Sequence, residues 1–201
     1  MVYTTEKDLG LIRVLRLSGI LQDFDLTKCC DPQQLIVVDC ADGSRKLELL
    51  LHHYNLAKTA EGNIDVDECV FHDPSLNGGA LLLHPDSPLV TEELRQDKVL
   101  LDSIEGGVKF KHMEANGHRP LVVIYAHTPC AAATSLGMSV IEQMTWLVKA
   151  KLRLKILHPN WRVLCALHVF KAKSPTDKKK YASYIFSSKA FLSWLEKNPQ
   201  P

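Results

Sequence analysis

The sequence predicts an α/β domain: a mainly parallel sheet of four to five strands flanked by helices. Three observations lead there. The runs 35–40, 68–72, 121–126 and 161–170 are short and apolar along nearly their whole length, as strands buried on both faces are. Helical patterns alternate with them, the order that builds parallel sheets. Turn residues (Gly19, Asp73-Pro74, Gly78-Gly79, Asn116-Gly117, Pro159) punctuate the series. The 201 residues fit one domain with a substantial core, so 1–201 reads as a single unit. It has an N-terminal helix or arm over 1–20 and a C-terminal helix over 175–201.

Taken in order, residues 6–20 carry Leu9, Ile12 and Leu15 at helical spacing and end near Gly19. The first strand, 35–40, is β-branched and ends at Cys40. A helix fits 45–58, with Leu47, Leu50, Leu51 and Tyr54 on one face. Glu68–His72 is the second strand and opens into the loop 73–79. A helix over 91–105 takes Thr91 or Ser87 as its cap and turns Leu94, Leu101 and Ile104 inward. The third strand, 121–126, delivers His127. Thr128 and Pro129 have N-cap and first-turn chemistry, and the helix they start runs to about Leu154 before Pro159. Trp161–Phe170 is the fourth strand, 171–180 a solvated basic loop, and 178–196 a terminal helix with Tyr181, Ile185, Phe191, Trp194 and Leu195.

Composition narrows the function classes. Lys+Arg number 24 against 23 Asp+Glu, so no global charge points to nucleic acid or an anionic membrane. The apolar runs fall short of the roughly 20 residues that cross a bilayer. The first nine residues lack a basic segment leading into an apolar one, so a cytoplasmic, reducing setting is expected. In that setting the six cysteines are not a disulfide framework. Cys69 and Cys165, inside apolar runs, read as buried small hydrophobes.

Cys40 and Cys130 stand elsewhere, each just beyond a strand and beside other functional side chains. Cys40-Ala-Asp42-Gly-Ser-Arg45 follows the first strand, and His127-Thr-Pro-Cys130 follows the third. Ligands of parallel α/β sheets gather at the carboxyl ends of strands, where both motifs lie. Two thiolates and an imidazole form the donor set of a catalytic zinc with an open fourth position. Cys130, expected at the second position of a helix, would have its thiol pKa lowered by the helix dipole. Such a zinc ion brings the pKa of bound water down to about 7. Asp42 would then be held back by Arg45 or released to close the fourth position, and His72 or His84 could accept a proton. The competing reading of Asp42 is ordinary Asp-Gly-Ser turn chemistry.

Cys40, Asp42, His127 and Cys130 together resemble the β-class carbonic anhydrases, whose first strand ends in Cys-x-Asp-x-Arg and third in His-x-x-Cys. The Asn77-Gly78-Gly79 loop is similar to the family's glycine-containing loop after its second strand. The resemblance implies a zinc ion held by Cys40, His127 and Cys130, with Asp42 as a possible fourth ligand, and catalytic roles for Asp42 and Arg45. It also implies reversible hydration of carbon dioxide to bicarbonate and a homodimer or higher homo-oligomer. No nucleic-acid or membrane partner is expected.

Three features depart from the pattern: Arg45 comes one residue late, Ala131 replaces a common glycine, and extra residues lie between 55 and 90. Other readings therefore stay open. One is a non-catalytic or regulatory zinc protein, another an enzyme acting on carbonyl sulfide or carbon disulfide. A third is a thiol enzyme pairing Cys130 with His127.

Overall fold

A computed structural model of the chain describes residues 4–24, 34–41, 70–72, 74, 76–110, 113–114, 119–171 and 181–199. The expected helix 45–58 lies outside these residues. The first element is α1 (Glu6–Leu17), capped by Thr5, whose hydroxyl accepts the Asp8 N–H at 3.0 Å. It turns at Gly19 (φ 72°) into β1 (Leu21–Asp23). Next come β2 (Gln34–Val38) and β3 (Val70–His72), then a 3-10 helix (Gly79–Leu83), all of whose residues are buried. The remaining elements are α2 (Gln96–Phe110), β4 (Leu121–Thr128), α3 (Ala131–Ser135), α4 (Val140–Leu157), β5 (Arg162–Phe170), β6 (Tyr181–Phe186) and α5 (Ser188–Lys197).

The sheet has six strands in the order β1-β6-β5-β4-β2-β3. Its four neighbours β3, β2, β4 and β5 are parallel, while β6 and β1 join antiparallel. The architecture is therefore α/β with a mixed sheet, wider than the expected four to five strands. Alternate residues of the central strands enter two cores. Ile36, Val38, Val122, Ile124, Val163 and Leu167 belong to the larger one, with the 3-10 helix, α2 and α4. Leu35, Val37, Leu121, Val123, Tyr125 and Ala166 form the other, with Phe24. Burial on both faces explains why these strands are uninterrupted apolar runs. Among the described residues, no helix is long and apolar enough to cross a membrane.

Three expectations fail for identifiable reasons. Residues 181–186 are a strand, not the start of the terminal helix: Tyr-Ala-Ser-Tyr-Ile-Phe has strand-favouring residues and a ready partner in β5. The helix expected through to Leu154 is broken, with Gly137 at φ 65° and half-exposed Leu136 in the gap. Ser139 restarts it through a capping box with Glu142, the N–H of Ser139 reaching the Glu142 carboxylate at 2.7 Å. The helix expected at 91–105 begins only at Gln96, because Thr91–Arg95 is a turn with Arg95 at φ 41°. Leu94, expected inside, is 66% exposed.

One polar cluster fixes the layer above the sheet. Asp97, in the first turn of α2, has a fully buried side chain. It accepts from Arg95 Nε at 3.0 Å and Nη2 at 3.1 Å, and pairs with Arg153 Nη1 of α4 at 3.1 Å. The same Arg153 nitrogen donates to the carbonyl of Leu83, the last residue of the 3-10 helix. The Arg95 hydrogen bonds, followed by the charge of Arg153, hold the Asp97 carboxyl below its usual range.

A depressed folded-state pKa adds stability above the unfolded value of about 3.9 and loses it as pH falls through the folded one. Asp97→Asn is accordingly expected to cost about 1–3 kcal/mol at neutral pH, because charged hydrogen bonds are lost. It should also flatten the acid limb of stability below about pH 4. Thermal unfolding of both proteins across that range checks this; an unchanged acid limb would contradict it.

Candidate metal centre

Strands β2 and β4 are neighbours, with Val38 opposite Ile124. From β2 the next strand lies on one side, at β3; from β4 it lies on the other, at β5. Their carboxyl ends therefore flank a topological switch point, where diverging loops leave a crevice. Cys40 lies two residues beyond β2. His127 is within β4 and Cys130 two residues beyond it. One ligand atom from each, two thiol sulfurs and a ring nitrogen, lie within 4.8 Å of one another. All three residues are buried, at 5%, 6% and 1% exposure.

Local structure explains how the chain holds them. Cys40 makes an isolated parallel bridge to Leu76, whose carbonyl accepts from Ala41 N–H at 3.0 Å and Gly79 N–H at 2.8 Å. The Gly78 N–H donates to Cys40 Sγ at 3.2 Å. Gly78 and Gly79 have φ of 103° and 55°, the left-handed region. At Gly79 space forbids a side chain too: a Cβ would stand 2.6 Å from the Asp39 carbonyl carbon and the Cys40 nitrogen. The Asn77-Gly78-Gly79 loop thus clamps the backbone at Cys40.

Cys130 follows the cis Thr128–Pro129 bond as the N-cap of α3, not at its second position. Thr128 belongs to β4 instead of capping a helix. Because α3 has five residues, the expected macrodipole effect gives way to a local one. The N–H groups of Ala133 and Ala132 favour the Cys130 thiolate, but proton sharing with Cys40 and burial outweigh them and push its pKa up. Cys40 is held below the ordinary thiol range by Cys130, against the opposing effect of burial, with help from His127 and the Gly78 N–H. Two thiolates this close repel, and a divalent cation between them lets both ionise.

Both ring nitrogens of His127 are buried without a hydrogen-bond partner among the described residues. Such a group is costly unless something else satisfies it. A metal ion held by one ring nitrogen would satisfy that nitrogen. The three residues could hold a metal ion between them, and two thiols with one imidazole are a donor set that zinc accepts.

Asp42 and Arg45 lie outside the described residues, as do His52, His53, Cys29, Cys30 and Cys69. The side chain of His72 is also outside them. His84 faces Asp86, 3.8 Å between Nδ1 and the carboxylate, and Trp146, with ring centroids 5.6 Å apart. Cys165 is buried as expected, its pKa raised to about 11 chiefly by desolvation. Sequence reading passed over Asp39, a buried carboxylate directly after the apolar run that ends β2, which is itself the missed signal. It also passed over His168, which pairs with His127 across β4 and β5 and shares a 2.8 Å hydrogen bond with Ser183 Oγ. Strand register creates that neighbour, and one-dimensional spacing does not reveal it.

No protein-family model, curated protein or solved structure matches the chain.

Elemental analysis should find about one metal ion per chain, with binding lost in Cys40→Ser, His127→Ala and Cys130→Ser and kept in Cys165→Ala. Binding that survives in any of the first three variants would count against the centre. Gly79→Ala should cost about 2 kcal/mol or more in urea unfolding, since strained backbone and a backbone clash combine. It should also weaken zinc binding; a silent substitution would show that the clamp does not position Cys40.

Proposed function

We propose that the chain is a zinc-dependent hydratase that interconverts carbon dioxide and bicarbonate. The observation carrying this reading is the buried Cys40, His127 and Cys130 group at the switch point of the sheet. Resemblance of the two motifs to those of the β-class carbonic anhydrases supplies the reaction. Four parallel strands with the motifs at their carboxyl ends support it. The reading also includes a homodimer, and the free buried thiols at 40, 130 and 165 accord with a reducing, cytoplasmic setting.

When bound, zinc supplies Lewis acidity, lowering the pKa of water and neutralising charge that develops on oxygen. The chain's own residues do the rest. Cys40 and Cys130 would hold the ion through two thiolates and His127 through a neutral ring nitrogen. The Gly78 N–H fixes the Cys40 sulfur and draws charge from it. Apolar packing of β2 and β4 keeps bulk water from the donors, which strengthens every local electrostatic interaction. By sequence order alone, Asp42 is assigned to accept a hydrogen bond from the attacking water and Arg45 to orient Asp42. In the net reaction, the oxygen of water bonds to the carbon of carbon dioxide, a carbon–oxygen π bond opens, and one proton leaves to solvent.

Stopped-flow hydration with a pH indicator tests the proposal. Zinc-loaded protein should accelerate the reaction, Cys130→Ser should abolish the effect, and Asp42→Ala should lower it roughly a hundredfold. Tight zinc binding without acceleration would establish the non-catalytic reading instead. Turnover only of carbonyl sulfide or carbon disulfide would reassign the substrate.

A further inference from the structure

Thr4, just before α1, is a polar residue only 3% exposed. Burying a hydroxyl is unfavourable unless it is hydrogen-bonded, and valine would fill the same volume without that demand. The Thr4 hydroxyl meets the demand with two main-chain carbonyls far along the chain. Its acceptors are Thr128 O, at 3.2 Å, and Phe170 O. Thr128 is the last residue of β4 and Phe170 the last of β5. One side chain from the N-terminal arm thus reaches the carboxyl ends of two central strands.

Where those bonds fall matters for the metal centre. Thr128 comes directly after His127 and two residues before Cys130. The β4–β5 ladder ends with Thr128 beside Val169, and Pro129 has no N–H with which to continue it. Past the proline, Cys130 is held by α3, whose Thr134 N–H bonds the Cys130 carbonyl at 2.8 Å. His127 is fixed from the sheet and Cys130 from the helix, with Thr128–Pro129 as the joint between them.

Packing leaves space beside this joint. A cavity of about 400 Å³ lies there, lined by Thr5, Lys7 and Asp8 on one side and by Thr128, Pro129 and Cys130 on the other. The Thr4 hydroxyl bonds the joint from the arm. The arm enters in a set direction, because Thr5 caps α1 by accepting the Asp8 N–H at 3.0 Å.

We propose that Thr4 is a positioning residue of the metal centre, holding the His127–Cys130 stretch at Thr128 so that imidazole and thiol converge with Cys40 on one ion. Its hydrogen bonds go to neither donor, so its influence passes through the main chain. Groups that orient metal ligands from outside the coordination shell typically change metal affinity about 10–100-fold. The inference rests on the metal-centre reading of Cys40, His127 and Cys130. A plain staple between β4 and β5 would move stability alone.

Two measurements on the full chain test this: zinc affinity by competition with a chromogenic chelator, and the visible absorption of the cobalt(II)-loaded protein. Thr4→Val removes the hydroxyl and keeps the volume. It should weaken zinc binding about tenfold and shift the cobalt bands, which report ligand geometry. Thr4→Ser keeps the hydroxyl and should restore both. If the valine variant does not fold, Thr4→Ala makes the same deletion without placing a methyl where the hydroxyl was. Leu154→Ala serves as the stability control: it opens the core near the end of α4 that leads into the start of β5. It should lower Tm and leave the affinity and spectrum of the folded chain unchanged. Unchanged affinity and spectrum without the hydroxyl, or a serine variant as impaired as the valine one, overturns the assignment. A wild type that takes up neither metal removes the metal-centre reading and this inference with it. A wild type that binds both metals with Thr4 irrelevant keeps that reading and removes this residue alone.

Discussion

The parallel pairing of β2 with β4 is the constraint on which the candidate centre depends. Cys40 and the His127–Cys130 pair are 87 positions apart or more in the chain, and no local structure could bring them together. The register that sets Val38 against Ile124 does so, because both strands then end at one edge of the sheet. A slip of one residue would turn every side chain of β2 to the opposite face, exchanging the apolar residues of the two cores. The same packing that stabilises the sheet therefore fixes the donors. The strand order adds the crevice: the strands that follow β2 and β4 lie on opposite sides.

Strand pairing alone does not orient Cys40, which lies beyond the regular ladder of β2. The Leu76–Gly79 segment takes over, bonding the chain at Ala41 and the sulfur of Cys40. That segment runs directly into the 3-10 helix, whose far end is bonded by Arg153, itself paired with Asp97. A path of packed and hydrogen-bonded groups thus connects a buried ion-pair cluster to the candidate metal centre. Its cost is a buried carboxylate and two left-handed glycines, features expected where geometry is specified in addition to stability.

Much of this was legible in the sequence, for reasons that can be named. The central strands are apolar on both faces, so they stand out as runs and cannot be mistaken for surface elements. The donors follow those runs directly, and residue type with strand-end position was enough to select Cys40, His127 and Cys130. Tyr181–Phe186 misled because Tyr181 and Ile185 stand four apart, a spacing that also fits one face of a helix, whereas the strand-favouring residues pair with β5. The break before α4 was present in the text as Ser139-Val-Ile-Glu142, a capping box hidden inside an apolar periodicity. The contact of Gly79 with Asp39, the Asp97 cluster and the pairing of His168 with His127 arise from tertiary approach, which spacing along the chain does not encode.

The central claim is that two sulfurs and one imidazole from three distant positions bind one zinc ion. X-ray absorption at the zinc edge of the purified protein tests this directly. If the proposed zinc is held by these three residues, its shell should contain two sulfur neighbours at about 2.3 Å and one imidazole nitrogen at about 2.0–2.1 Å. A shell of four sulfurs, a shell without sulfur, or a protein that takes up no zinc would contradict it.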